Sequence, residues 1–338
     1  PEGGYEQFLF DIDDPLLARY RGMRYDDYAR ERTSQSFVRD LLGDWERLYR
    51  EPFRGVTTDG VVLDGLYQLP AGGSPSPGLR LAAEVLLDSL TEDERERIAY
   101  PLDAREWRAW SNPEFVIHSV GLRLEDLSTS TLPAVWSLLQ ASLSHEGYDL
   151  VLSLMDLNGY LGGLTDLPTV MSGLSYSIAI FGSPSDADPW GWQLFGHHVA
   201  INFIAVGGRH VIAPQFLGAE PAASVNGFDV PFAARVDNAL VLAASFTDVQ
   251  RADAVVWESV LDPAMPADRL HPADERHVAG AFRDNRVIPY EGVLADSFSD
   301  VQWAILRDIL EDFLVLLQEP QRLLTLSDID AHRDRTHL

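Results

Sequence analysis

The sequence predicts an α+β fold: an antiparallel, strongly twisted sheet built on a long central hairpin and surrounded by helices. Three observations carry this reading. Apolar residues recur at helical spacing near both ends of the chain, as in Phe37, Leu41, Leu42, Trp45 and Leu48. Between them, Tyr176 to Glu220 is apolar and rich in β-formers around a Gly207-Gly208 pair that suits a tight hairpin turn. Hydrophobic residues make up 46% of the 338-residue chain and charged residues 23%, a globular composition that can bury one large core or two.

Taken in order, residues 1–70 read as an acidic N-terminal helical extension, with helical pattern from about Tyr5 to Tyr49. Phe53 to Leu63 reads as a short extended pair turning at Asp59-Gly60, and the Pro/Gly/Ser-rich stretch Pro70 to Gly78 reads as a linker. Residues 79–338 then form the α+β domain. Leu79 to Tyr100 divides into two helices where Thr91, with Glu94 three residues on, starts a capping box. Leu127 to about Leu161 is a helix pair parted at Ser144 to Gly147, and the glycines from Gly159 to Gly163 mark a helix ending rather than a phosphate cradle. Tyr176 to Phe181 is a strand. Trp190 to Val206 and Arg209 to Phe216 are the two arms of the hairpin. Helical pattern returns from Phe246, and Ser299 caps the strongest helix, Val301 to about Leu317, with Val301, Ile305, Ile309, Phe313 and Leu316 on one side.

Ser245-Phe246-Thr247-Asp248-Val249-Gln250 is echoed by Ser297-Phe298-Ser299-Asp300-Val301-Gln302. The two do not belong to a fixed period, so they read as one helix-start signal used twice: an apolar staple, a hydroxyl cap and an acid at the helix N-terminus.

Composition narrows the chemistry. There are 52 acidic residues against 26 basic ones, a formal charge of −26, no Cys and no Lys. So acidic a surface does not suit nucleic acid or anionic membrane as partners. Thiolate nucleophiles, disulfides, Cys-held metals, Schiff bases and phosphate-loop lysines are all excluded. No apolar run approaches the ~20 residues of a spanning helix, and the start has no signal-peptide pattern, so a cytoplasmic location is expected. Chemistry falls to His, carboxylates, hydroxyls and Arg.

The hairpin holds the one place where these converge. Alternation along a strand puts His197 with Gln193, Phe195 and Val199, and His198 with Trp192, Leu194 and Ala200, unless a bulge at Gly196 brings both together. With Val206 opposite Arg209, His197 lies opposite Gly218 and Phe195 opposite Glu220, so Glu220 is diagonal to His197 at ~7–8 Å. Gln215 falls diagonal to His198, while His210 pairs near Ala205, too far along to join. The other six His residues show no ligand spacing, and no Gly-x-Ser-x-Gly, His-Glu-x-x-His or dinucleotide motif occurs.

These residues suit a divalent metal, zinc or iron, held by His197, His198 and Glu220. Function is then expected as a metal-dependent enzyme, most simply a hydrolase acting on a small organic substrate through a metal-activated water, with Glu220 and His198 catalytic. Trp190, Trp192 and Gln193 would line the pocket, and Arg108 or Arg123 would orient a substrate carboxylate. An iron-dependent oxygenase and a non-catalytic module with a Trp-lined cleft are the alternatives.

Phe181-Gly182-Ser183-Pro184, the run Pro189-Trp190-Gly191-Trp192-Gln193-Leu194-Phe195-Gly196-His197-His198, and Pro214-Gln215-Phe216-Leu217-Gly218-Ala219-Glu220-Pro221 together resemble a bacterial and fungal family, domain-of-unknown-function family 3500. Trp107 to Asn112, Gly121 to Leu127 and Ala331 to Asp334 match its pattern too, so the resemblance runs from about Phe53 to the C-terminus. It implies a shared site rather than a named reaction. It also implies that members continue past the position of Leu338 into a β-rich tail with a Glu-Phe-Asp-type strand and a His-x-His pair, which would complete both the sheet and the metal site. Without that tail an open sheet edge would invite association into a homo-oligomer.

Overall fold

The computed structural model describes residues 11–65, 77–222, 231–257, 262–266 and 284–338. Tyr5 to Phe10 of the expected N-terminal helical segment and Pro70 to Ser76 of the expected linker lie outside them. In chain order the helices and strands are α1 (Pro15–Ala18), α2 (Tyr25–Ser34), α3 (Ser36–Arg50), α4 (Pro77–Asp88), α5 (Glu92–Ile98), β1 (Ala99–Tyr100), β2 (Leu122–Arg123), α6 (Leu132–Ser142) and α7 (His145–Leu164). They continue with β3 (Tyr176–Phe181), β4 (Trp190–Gly196), β5 (Val199–Val206), β6 (Arg209–Leu217), α8 (Ala233–Ala244), α9 (Asp248–Ala254), α10 (Asp300–Phe313) and α11 (Glu319–Ala331). The fold is α+β, as the sequence predicts. Among the described residues no helix is long and apolar enough to cross a membrane.

The sheet runs β1-β3-β4-β5-β6, with β2 also paired to β3. It is mixed rather than wholly antiparallel: β1 lies parallel to β3, with Ala99 opposite Ile180, and every other pairing is antiparallel. β3 and β4 are buried along their whole length, which explains why their sequences are nearly continuous apolar runs. Helices α4, α6 and α7 cover one face through Leu86, Leu138, Leu139 and Leu154, against Ile178, Trp190, Trp192, Leu194 and Phe203. On the other face, Trp45 and Tyr49 of α3 and Ala109 pack on Ala179, Phe181, Phe195 and Ala200.

Three expectations are corrected here. The long arm Trp190 to Val206 is two strands, because the chain reverses at His197-His198 and pairs Gly196 with Val199. Phe53 to Leu63 does not pair with itself. Gly60 turns at φ +87°, and Thr57 bridges instead to the distant Val287 in parallel. In α10 the expected stripe is rotated: Val301 is 70% and Phe313 46% exposed, while Gln302, Leu306 and Ile309 are buried.

That rotation has a cause. Thr247/Gln250 and Ser299/Gln302 both form capping boxes, so the echoed hexapeptides are helix starts as expected. They also face each other about a local two-fold. Gln250 Nε2 donates to the Ser297 carbonyl (2.9 Å) and Gln302 Nε2 to the Ser245 carbonyl (3.1 Å). The two amides also bond to each other at 3.2 and 3.0 Å. Drawing Gln302 inward places Val301 outside. The helix pairs at Ser144, where the hydroxyl accepts from Gly147 N, and at Thr91, with its Glu94 box, follow the sequence reading.

Two predictions follow from this packing. Gln302→Leu removes the acceptor of the Ser299 capping box and the buried amide pair with Gln250, and urea denaturation should register a loss of about 1–3 kcal/mol. His210 is buried against Phe203, and burial pushes its imidazole below the ordinary value of 6.5. The unfolded chain therefore takes up that proton first on acidification, so this contribution to stability declines as pH falls below about 6.5 and levels off below the folded-state value. A melting-temperature series against pH should fall through this window less steeply in His210→Gln than in the parent. An unchanged slope would exclude His210 as a source.

Candidate functional site

His197 and His198 form the two-residue loop of the β4–β5 hairpin, since Gly196 pairs with Val199. His198 takes the left-handed region at φ +62°, a conformation in which His is enriched among non-Gly residues. A loop releases the two side chains from strand alternation, so both rings point the same way and lie 3.9 Å apart. Asn112 Oδ1 accepts from the His198 backbone N–H at 2.9 Å, and the Tyr176 hydroxyl donates to the His197 carbonyl at 3.0 Å. The loop is thereby pinned from two sides.

Glu220 reaches the loop because of a bulge. β5 and β6 pair as expected from Val206–Arg209 through Phe203–Ile212, but Ala213 and Pro214 then stand opposite Asn202 alone. Pairing resumes one residue shifted, at Ile201–Gln215, and the Asn202 amide donates to the Pro214 carbonyl at 2.8 Å. The shift sets Gly218 beside His198 rather than His197, with Gly218 N donating to the His198 carbonyl at 2.8 Å. A Cβ on Gly218 would stand 3.0 Å from His198 Nδ1, so the glycine lets the backbone pass under the ring. Gln215 moves away from His198 and donates to the Phe313 carbonyl. His210 pairs with Ala205, away from the site, as the register predicts.

Glu220 Oε2 lies 2.8 Å from His198 Nε2 and 3.5 Å from His197 Nε2. The partner on the far side of His197 comes from α7: Nδ1 is 2.9 Å from Asn158 Oδ1, and the Asn158 amide nitrogen donates to the Ser172 carbonyl at 2.9 Å. Because that nitrogen faces a carbonyl, the Asn158 oxygen faces His197, so Nδ1 carries the hydrogen. Burial, then the neighbouring His198, hold His197 down to about 4, so its ring is neutral near pH 7. Its Nε2 lone pair is consequently aimed at a carboxylate. The hydrogen bond from His198, against an opposing effect of burial, holds Glu220 below the usual carboxylate range. His198 Nδ1 is buried with no hydrogen-bond partner.

Among the described residues this is the one group of three or more His, Cys, Asp and Glu side chains with donor atoms all within 4.8 Å of one another. Bonds of ~2.0–2.1 Å in a tetrahedral site put neighbouring donors ~3.3 Å apart. The His197–Glu220 separation already matches, and the His198–Glu220 contact would open by about half an ångström. Two imidazoles and a carboxylate also leave a coordination position for water or substrate.

The other expected site residues lie elsewhere. Trp190 and Trp192 do not line the clefts beside the site but fill the core, with their indole N–H groups on the Ser185 carbonyl and the Ser142 hydroxyl. Gln193 is fully buried and holds the Trp107 carbonyl and Asn202. Arg108 lines a broad cleft of about 580 Å³ with Phe53, Trp110 and Phe216, but its fork is spent on Asp284 (2.5 and 3.0 Å) and on the Glu51 and Leu48 carbonyls. Arg123 is tied to Glu125 and the Ser175 carbonyl. A second cleft, of about 270 Å³, opens between α3 and the Asn112–Phe115 loop, reaches His197, and contains Arg32 and Glu114. Sequence reasoning missed Asn158, Asn112 and Arg32, which lie 39, 86 and 165 or more residues from the ring or turn they serve and carry no motif.

The sequence matches the family described as "Protein of unknown function (DUF3500)" over residues 73–338. That is well over half of the chain, and the chain belongs to this family. No curated protein and no solved structure matches it.

The geometry fixes a tautomer that can be read directly. In ¹⁵N-edited imidazole spectra near neutral pH, His197 should carry its proton on Nδ1, and Asn158→Leu should abolish that preference. A dominant Nε2–H form in the parent would contradict the arrangement.

Proposed function

We propose that His197, His198 and Glu220 hold a divalent transition metal, zinc or iron, and that the chain is a metal-dependent hydrolase of a small organic substrate. One observation carries this reading: the Nε2 lone pair of a neutral His197 faces the Glu220 carboxylate at 3.5 Å with no hydrogen to share between them. Two acceptors so aimed repel each other unless a cation lies between. The Asn158 contact is the outer partner that metal-bound imidazoles commonly have, orienting the ring and raising its basicity. A bound metal would supply a water with its pKa lowered toward 7.

The chain's own groups do the rest. Both imidazole contacts of Glu220 use Oε2, so Oε1 is the oxygen that takes a proton from water. In the hydrolysis, the hydroxyl of that water bonds to the electrophilic carbon as the bond to the leaving group breaks, and Glu220 returns the proton to the leaving group. To serve as a ligand His198 gives up the Nε2 hydrogen that it shares with Glu220 in this structure. A second reading, iron and oxygen chemistry, draws support from the same donor set, which has the composition of a two-His, one-carboxylate triad.

Metal analysis of the full chain, loaded with zinc or iron(II) and desalted, tests the site. One metal per chain is expected. His197→Ala and Glu220→Ala should lose it, and Asn158→Ala should weaken it by about 10–100-fold. A folded His197→Ala that keeps full metal would overturn the site. Chelator-sensitive hydrolysis of small carboxylic esters would support hydrolase over oxygenase, and its absence across an ester and amide panel would overturn the hydrolase reading.

A further inference from the structure

The cleft that reaches His197 has a chemical character of its own. Its volume, about 270 Å³, is enough for a small molecule. One wall is apolar and comes from α3, through Val38, Leu41 and Trp45. Among the described residues the one Arg along its lining is Arg32, at the end of α2.

Arg32 is held, not loose. Its Nε is buried and stands 3.4 Å from Glu114 Oε1, and its guanidinium lies 5.8 Å from the centre of the Tyr20 ring. Glu114 in turn accepts the Tyr28 hydroxyl on the same oxygen, so its charge is shared between two donors. This brace fixes the direction of the guanidinium, and a pre-set fork is what two-pronged recognition of a carboxylate requires. In the broader cleft the comparable cation, Arg108, has Nε, Nη1 and Nη2 all hydrogen-bonded, to Asp284 and to the Glu51 and Leu48 carbonyls, so its fork is taken. A chain with formal charge −26 repels small anions in general, so any preference for one must be made locally.

We propose that this cleft is the substrate site and takes a small monocarboxylate with an apolar body, its carboxylate on Arg32, its body along Val38, Leu41 and Trp45, and its reacting bond toward His197 and Glu220. The proposal rests on the metal-centred reading for its last part only. It also assigns a role to the N-terminal helices: Arg32, Val38, Leu41 and Trp45 all precede residue 73, where the family match begins, so the selecting wall is built from outside the matched segment.

Hexanoate, hexanamide and hexylammonium, titrated into the full chain by calorimetry with tryptophan fluorescence in parallel, test the assignment. Hexanoate should bind at least about tenfold more tightly than the other two, as a charge-assisted contact requires. Arg32→Gln should remove most of that advantage while leaving hexanamide binding unchanged. Leu41→Trp, which fills the cleft without touching the charge, should weaken both hexanoate and hexanamide. Equal affinity for hexanoate and hexanamide in the parent overturns the proposal. So does hexanoate binding that survives Arg32→Gln but is abolished by chelator, since the carboxylate would then sit on the metal. Arg32-dependent hexanoate binding in a chain that takes up no metal would uphold the anion subsite and reject the metal reading alone.

Discussion

The chain reversal between Gly196 and Val199 governs the rest of the molecule. It converts what would be one long strand into β4 and β5, and so sets the order of the sheet. Because the reversal takes only two residues, both are released from the alternation that would otherwise send them to opposite faces. The two imidazoles therefore lie side by side at the sheet end, tilted by 33°, instead of one entering the core. The cost is a His in the left-handed region, and it is met by fixed partners: the Asn112 side chain on the His198 N–H and the Tyr176 hydroxyl on the His197 carbonyl.

A second irregularity, the bulge at Ala213-Pro214, completes what the reversal begins. An edge strand can carry a proline, since the lost donor faces no neighbour, and β6 is such a strand. The extra residue advances the register by one. Without it Gly218 would lie under His197, and Glu220 would approach from a different angle. The candidate site is thus made of two local departures from regular β structure on a sheet whose central strands β3, β4 and β5 are buried on both faces. Rigid strands behind a short, well-anchored loop are the arrangement that holds converging side chains in place.

Charge and site are separate matters in this protein. The acidic excess is spread over helices whose exposed faces carry ion pairs such as Arg50–Glu46 and Arg80–Glu84, each of which adds little to stability by itself. Within the two clefts the charges are few and specifically paired. Arg108 with Asp284 and Arg32 with Glu114 show two ways of holding a guanidinium, one saturating the fork and the other bracing it.

Residue type and spacing determined a good deal unaided. The α+β class, the capping boxes at Thr91 and Ser299, the Val206–Arg209 turn and the exclusion of thiolate and amine chemistry are all legible because each depends on local pattern or on composition. The tertiary structure alone decided the rest. Whether Gly196-His197-His198-Val199 continues a strand or reverses it depends on what pins the loop, and those groups come from Asn112 and Tyr176, far off in sequence. The burial of Trp190 and Trp192 follows from helices packing over that face of the sheet. The face that α10 buries follows from one glutamine meeting another 52 residues away. Alternation and periodicity report which side chains share a face. They carry no information about which distant element arrives to cover it, and such long-range contacts are what set Asn112, Asn158 and Tyr176 against the two histidines.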